Sequence, residues 1–491
     1  MIVSVTPELG LDEQTPFAGG LGILEGDKFY AAARRKMDYT VVTLFYRKGY
    51  ASYDFEDGMA VLREGGYGEE FLKKLEVKKG KVTIFGREAE VSYRIYRLGT
   101  AKAVFIDAIA PAWARRLNER LYEHSDSDLS FARYILLAEG TLDYLIRYEK
   151  RTELIDMQEA YATLLSISPR FKELKNCRLR MIIHTPGPWG HPSFGREFFA
   201  RQYGYDFLHE RVYLTDLGLA TAERVFCVSR KHYEITQKVI PHFAGRLSYV
   251  TNGIEIPRWK GITFTRKTFR QRKEGARESL LRDLHLPPGR MLLAWNRRIV
   301  GYKRPEFMVR FIEECDEDVN FLLSGKAHPQ DLWAREVMEE FNRLARERKN
   351  VYYTPEYSVE LSKKIVAACD LLVFTPFSGW ESSGTSFMKA MINGTPCLTS
   401  RDGAAIEFIE DGENGWLFGK DLRTLIPVES EKGREISKAD YREFSEKLNS
   451  IISLWHDERE KFDSVALKAA GTTGLDMDRV MESYYGREGA E

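Results

Sequence analysis

Short apolar runs recur along almost the whole chain, separated by amphipathic segments. MIVSV, YTVVTLFY, KAVFIDAI, LIDM, RMIIHT, VFCVS and LSYVT fall in the first half, and MLLAWN, NFLLSG, DLLVFT and TPCLTS in the second. Runs of about four to eight such residues, alternating with stretches like YSVELSKKIVAA, predict parallel strands covered by helices on both faces. One open sheet rarely takes so many strands. The pattern therefore predicts an α/β chain with two doubly wound, Rossmann-like domains facing a cleft.

The first domain is placed at 1–258, with a glycine loop and inserted β-strands where residues 76–100 (EVKKGKVTIFGREAEVSYRIYRLGT) alternate with period two. The polar, basic segment IPRWKGITFTRKTFRQRKEGARESLLRDLHLPPGR reads as a solvated linker and helix, with a nucleic-acid patch as the lesser alternative, and the linker is set at 259–288. The second domain is placed at 289–470. Residues 471–491 read as a helix with a frayed tail, packing back on the first domain.

The length of 491 residues is consistent with this division, at about 150 residues per domain. Lys+Arg and Asp+Glu both number 73, so net charge offers no general attraction for nucleic acid or an anionic membrane. The five cysteines are scattered without a CxxC pair and read as reduced core residues rather than zinc ligands or disulfides. No apolar run approaches the roughly 18 residues of a membrane helix, and MIVSVTPELG reads as a first strand rather than a signal peptide. The expected location is the cytoplasm.

Almost every unusual stretch follows one of the apolar runs, at the strand ends where doubly wound sheets bind ligands. FAGGLGILEGDKFYAAARRK opens a helix with Gly19, Gly20 and Gly22; it reads as a phosphate-binding turn or as a tight turn for close packing. RMIIHTPGPWGHPSF ends a strand at His184, a substrate contact or a core histidine bonded to backbone. YVTNGIEIPRW carries the turn Asn252-Gly253 and the flat face of Trp259. AWNRRIVGYKRPE gathers Arg297, Arg298, Lys303 and Arg304 after a strand, which favours anion binding over a solvated loop. FLLSGKAHPQD repeats that pattern less specifically. ESSGTSFMK sets Glu381 and Lys389 at the two ends of a small-residue turn. No Gly-x-Ser-x-Gly elbow, zinc motif, Walker loop or pair of glycosidase carboxylates is evident, so phosphate-bearing chemistry between two domains is the expectation.

FAGGLGILEGD, HTPGPWGH, VTNGIEIPRW, RRIVGYKR, SGKAHP and ESSGTSFMKAMINGTPCLTSRDG follow the order and approximate spacing of motifs in the α-glucan phosphorylases. The chain resembles a short form of that family, which has the glycosyltransferase-B architecture. The resemblance implies phosphorolysis of terminal α-1,4-glucosidic bonds of maltodextrin or glycogen, releasing α-glucose 1-phosphate with retention. It also implies a pyridoxal 5'-phosphate cofactor, a glucan and inorganic phosphate as partners, and a homodimer. Lys389 resembles the lysine that forms the cofactor's Schiff base, with Thr385, Arg297, Trp259 and Gly20 also at the cofactor. Arg298 and Lys303 match the cations that bind inorganic phosphate, and with His184 they would act at the reacting centre. Glu381, Ser383, Gly384, Asn252, Gly19 and Leu21 would line the sugar, which His184 also contacts.

Two features depart from the family pattern. Gln158 and Tyr161 in DMQEAYATLL replace the usual asparagine and histidine, and an arginine usual near residue 130 is out of register with Arg133. Both changes bear on the acceptor side. The chain also leaves no room for the family's amino-terminal regulatory segment, so that allostery is not expected. Nucleotide-sugar glucan synthases of the same fold often carry a second glutamate where Lys389 stands, and such a synthase is the nearest rival. A non-catalytic glucan-binding protein is the other alternative.

Overall fold

The computed structural model describes residues 1–123 and 126–486. Two open sheets dominate it. The larger has nine strands, in the spatial order Leu247–Tyr249, Arg224–Cys227, Arg178–Ile183, Leu154–Gln158, Ile2–Val5, Tyr39–Leu44, Ala101–Ala110, Arg87–Leu98 and Glu76–Ile84. The first seven are parallel to one another; the last two form an antiparallel edge. The smaller sheet is parallel throughout, in the order Val351–Thr354, Val319–Ser324, Met291–Asn296, Leu371–Phe374, Cys397–Ser400 and Trp416–Phe418.

The apolar runs become strands because helices cover both faces. Every residue of Tyr39–Leu44, Met291–Asn296 and Val319–Ser324 is buried, so these segments carry no polar alternation. Residues 76–100 alternate because they lie at the sheet edge, where Glu76–Ile84 leaves one side chain in two near water.

The basic segment after residue 256 is solvated only in part: Arg266, Lys267, Arg270, Arg272 and Arg282 are exposed, but two cations of its helix are not. Its helix, Phe269–Asp283, packs on the helix Val359–Ala368 and buries Lys273 and Arg277. Lys273 Nζ donates to the Ala367 carbonyl at 2.9 Å, and Arg277 pairs with buried Asp370 at 3.2 Å. Local composition reads these cations as surface charges because their acceptors lie about ninety residues away. The helix Met477–Tyr485 lies against Gly20–Arg34, where Arg34 and Arg35 pair with Asp478. The tail expected to fray, at 487–491, lies outside the described residues.

Arg304 corrects another surface reading. Grouped in the sequence with the anion-binding cations, it is fully buried and turned into the fold. It donates to Asp440 Oδ2 at 2.7 Å and to the Thr375 and Pro376 carbonyls at 2.9 Å, locking the arginine-rich loop to the strand end before Glu381. Arg304→Met should strand a buried carboxylate and lower unfolding free energy by about 3–5 kcal/mol in a denaturant titration. Arg35→Ala, at a largely exposed pair, should change it by less than about 1 kcal/mol.

Candidate functional site

The strand-end loops of both sheets converge on one cleft. Glu8, just after the first strand, shapes its floor. Its carboxylate accepts from the backbone amides of Ala18 and Gly19 and from the Tyr122 hydroxyl at 3.1 Å. Burial raises its pKa, and Arg298 opposes that rise. The helix Gly20–Arg34 starts at this turn. A Cβ on Gly19 would sit 3.9 Å from Arg298 Nε, whereas one on Gly20 would meet nothing within 4 Å. The first turn of a helix thus has open space at Gly20 and an arginine beside Gly19, an arrangement suited to an anion.

Across the cleft, Arg297, Arg298 and Lys303 stand near Glu381. Arg297 Nη2 donates to Glu381 Oε2 at 2.7 Å, and its guanidinium lies 3.4 Å from the Phe374 ring centre. Lys303 Nζ is 3.9 Å from the same carboxylate oxygen. Burial acts to raise the Glu381 pKa, but Lys303 and Arg297 hold it below the ordinary range. Burial, then repulsion from Arg297, brings Lys303 down to about 7, with Glu381 opposing. Arg297 Nη1 and Arg298 Nε are buried without a hydrogen-bond partner among the described residues. The cluster holds more cationic donors than its carboxylate can satisfy.

The loop carrying Glu381 is pinned by Asp402, which follows the strand Cys397–Ser400. Its carboxylate accepts from the amides of Gly379 and Glu381 at 2.8 Å each, and lies 3.1 Å from Lys231 Nζ. The loop then needs Gly384 at φ +70°, because a Cβ there would meet Phe374 at 2.6 Å. Ser383 Oγ and Asn252 Oδ1 are buried and have no hydrogen-bond partner among the described residues. Thr385 stands at the start of the short helix Ser386–Met391, without a side-chain capping bond, and the helix carries Lys389. Lys389 Nζ lies 4.0 Å from the Trp259 ring centre. Burial brings its pKa down to about 8, with Asp27 acting to raise it. Asp27 Oδ1 accepts from Trp259 Nε1 at 2.7 Å and from Arg258 Nη1 at 2.9 Å; its other oxygen has no hydrogen-bond donor among the described residues.

His184 is placed differently from the cations. Its Nε2 donates to Gln158 Oε1 at 2.7 Å; Gln158 donates onward to Ser4, and Ser4 to Glu25, which Lys28 neutralises. Burial, with Lys28 nearby, holds His184 well below the usual imidazole range. The neighbouring Glu159 is buried at φ +63° and ψ 180°, a conformation side-chain-bearing residues rarely adopt. It accepts from the His184 amide at 2.9 Å, and burial raises its pKa to about 8. Arg133 is committed elsewhere, donating to Glu123 Oε2 at 2.7 Å. Leu21 lies on the first turn of the glycine-loop helix.

Glu8, Asp27, Glu159 and Asp402 were not singled out from the sequence. Glu8, Glu159 and Asp402 each follow an apolar run directly, so the strand-end rule could have found them. Asp27 carries no such signal, because its role depends on Arg258 and Trp259 more than two hundred residues away.

Comparison with known proteins adds to this geometry. Residues 312–470 match the family model Phosphorylase, described as carbohydrate phosphorylase. Glycogen phosphorylase of Aquifex aeolicus is 24% identical over 94% of this chain and 81% of its own length. Maltodextrin phosphorylase of Thermococcus litoralis is 22% identical over 94% of this chain and 67% of its own. Among solved structures, the catalytic domain of starch synthase IV from Arabidopsis thaliana, bound to ADP and acarbose, superposes with a TM-score of 0.80 at 16% identity. That superposition covers 100% of this chain and 99% of the other, and shows a shared glycosyltransferase-B fold.

The lowered pKa of Lys303 has a measurable consequence. Its ordinary value is 10.5 and its folded value about 7, so the unfolded chain binds more protons between those limits. This group's contribution to stability is present above the unfolded pKa and is lost as pH falls through the folded one. Lys303→Met should therefore gain stability relative to wild type near neutrality, and the gain should shrink toward about pH 9.5 in urea titrations. A difference that stays constant with pH would show that Lys303 titrates normally.

Proposed function

We propose that this chain, which matches the carbohydrate phosphorylase model over residues 312–470 and shares a glycosyltransferase-B fold, is a phosphorylase that cleaves terminal α-1,4-glucosidic bonds of maltodextrin or glycogen with inorganic phosphate in the cytoplasm. The product is α-glucose 1-phosphate, formed with retention. The observation that carries this reading is Lys389: a buried amine against Trp259, with a pKa near 8, whose nitrogen has no hydrogen-bond partner among the described residues. An ordinary buried lysine is paired or bonded to carbonyls, as Lys231 and Lys273 are here. A lysine largely neutral just above pH 8 is suited to covalent attachment of a carbonyl cofactor.

The surrounding residues fit pyridoxal 5'-phosphate. Trp259 offers an aromatic face beside the amine, and Asp27 keeps one oxygen free. Thr385, Arg297 and the Gly20 amide would hold the cofactor's phosphate. When bound, that cofactor supplies a second phosphate able to exchange a proton with the substrate phosphate. Two phosphate dianions in contact repel by several kcal/mol at an effective dielectric of about 20. Arg298 and Lys303 would bind the substrate phosphate and, with the glycine-turn amides, offset that repulsion. An arriving dianion would also raise the Lys303 pKa and keep it charged. Glu381, Ser383, Gly384 and Asn252 would receive the hydroxyls of the transferred glucose beside Gly19 and Leu21. His184, neutral and oriented by Gln158, would contact the same sugar.

A phosphate-dependent assay with maltodextrin should show glucose 1-phosphate release. Borohydride treatment of the holoenzyme should fix a pyridoxyl group on the peptide containing Lys389, detected by mass spectrometry. Lys389→Ala should lose both the label and the activity. A protein that carries no label and instead extends glucans from a nucleotide sugar would overturn the reading.

A further inference from the structure

The cleft has an aromatic margin that the charged site does not use. Trp189, in the Pro188–Gly190 turn of HTPGPWGH, is 50% exposed. Its ring lies 5.1 Å from that of Trp380 at 15°, and 5.9 Å from that of Tyr302 at 23°. Trp380 immediately precedes Glu381, and Tyr302 immediately precedes Lys303. Trp333, 40% exposed, comes within 3.9 Å of where a Cβ on Gly301 would stand. Three stacked rings from three strand-end loops, with Trp333 on the first turn of the helix Leu332–Glu347 near Gly301, therefore line one edge of the phosphate and sugar loops.

These rings are held in place. A Cβ on Gly187 would lie 2.8 Å from the Trp189 ring, so the glycine lets that ring fold over its own turn. Trp380 Nε1 donates to the Ile426 carbonyl at 2.8 Å, and the Tyr302 carbonyl accepts from the Phe377 amide at 2.6 Å. Trp189, though stacked on two rings, still leaves half of its surface exposed. By contrast Gln158, where the sequence departs from the family on the acceptor side, is fully buried and bonded to His184 and Ser4. It cannot reach a glucan.

We propose that this rim binds the glucan on the far side of the cleaved bond, with Trp189 as the stacking platform for its sugar rings. A pyranose presents an apolar C–H face and a hydroxylated edge. An indole ring matches that face through dispersion and its negative quadrupole, while the charged loops next to it take the hydroxyls. Trp189 is then the residue that sets affinity for the length of the glucan. The inference rests on the phosphorolysis reading for the identity of the ligand.

Calorimetric titration of maltopentaose into the holoenzyme, with phosphorolysis measured in parallel, tests it. Trp189→Ala should weaken maltopentaose binding and raise its KM by about 10-fold, whereas the KM for phosphate stays within about 2-fold. Trp189→Phe, which keeps a ring, should recover most of the loss. Unchanged maltopentaose affinity in Trp189→Ala would overturn the platform, as would absence of maltopentaose binding to wild type. Equal loss of phosphate and glucan affinity in both variants would also overturn it, by showing a structural role. Binding that depends on Trp189 without phosphate-dependent turnover would sustain the platform and sink phosphorolysis. Turnover indifferent to Trp189 would do the reverse.

Discussion

A buried ammonium joins the two sheets where their strand ends meet. Lys231 lies on the helix Arg230–Val239, which follows a strand of the larger sheet, and is 1% exposed. It reaches Asp402, Ser378 and Asp421 on loops of the smaller sheet, at 3.1, 2.7 and 2.8 Å. Asp402 in turn accepts the amides of Gly379 and Glu381. A buried charge this well coordinated tolerates little displacement, since losing a partner leaves an unpaired ion in a low-dielectric interior. The position of Glu381 relative to the first sheet is thus tied to an ion pair that never touches the cleft.

The cleft itself is built on incomplete compensation. Arg297, Arg298 and Lys303 crowd around Glu381, with Glu8 behind Arg298, and donors on both arginines are left over. Such an arrangement opposes stability unless an anion completes it, which is the usual conflict between a folded core and a binding site. Lys389 stands apart from this cluster, where desolvation by Trp259 and its surroundings lowers its pKa. Two kinds of perturbed lysine therefore occupy one cleft: one surrounded by surplus positive charge, the other set against an indole ring with Asp27 and Arg258 nearby.

The strand runs were legible because burial on both faces removes polar residues from a segment, a property visible within four to eight residues. The ESSGTSFMK turn and the arginine-rich loop were legible because ligand loops follow parallel strands. Polar residues whose function depends on a distant partner were not. Arg304 looks like one more cation of its loop, yet its carboxylate partner lies 136 residues later in the chain. Lys273 and Arg277 look like a solvated basic run until Ala367 and Asp370 are folded against them.

The sequence alone determined that this chain forms parallel sheets, and that acid, cations and lysine cluster at their carboxyl ends, since hydrophobic period and turn chemistry are local. Tertiary structure decided which of those charges are structural and which remain unsatisfied. It buried Arg304 against Asp440, tied His184 to Gln158, and left Lys389 facing Trp259. The physical reason is that a charge is stabilised or stranded by whatever the fold brings within a few ångströms, and sequence spacing does not report that distance.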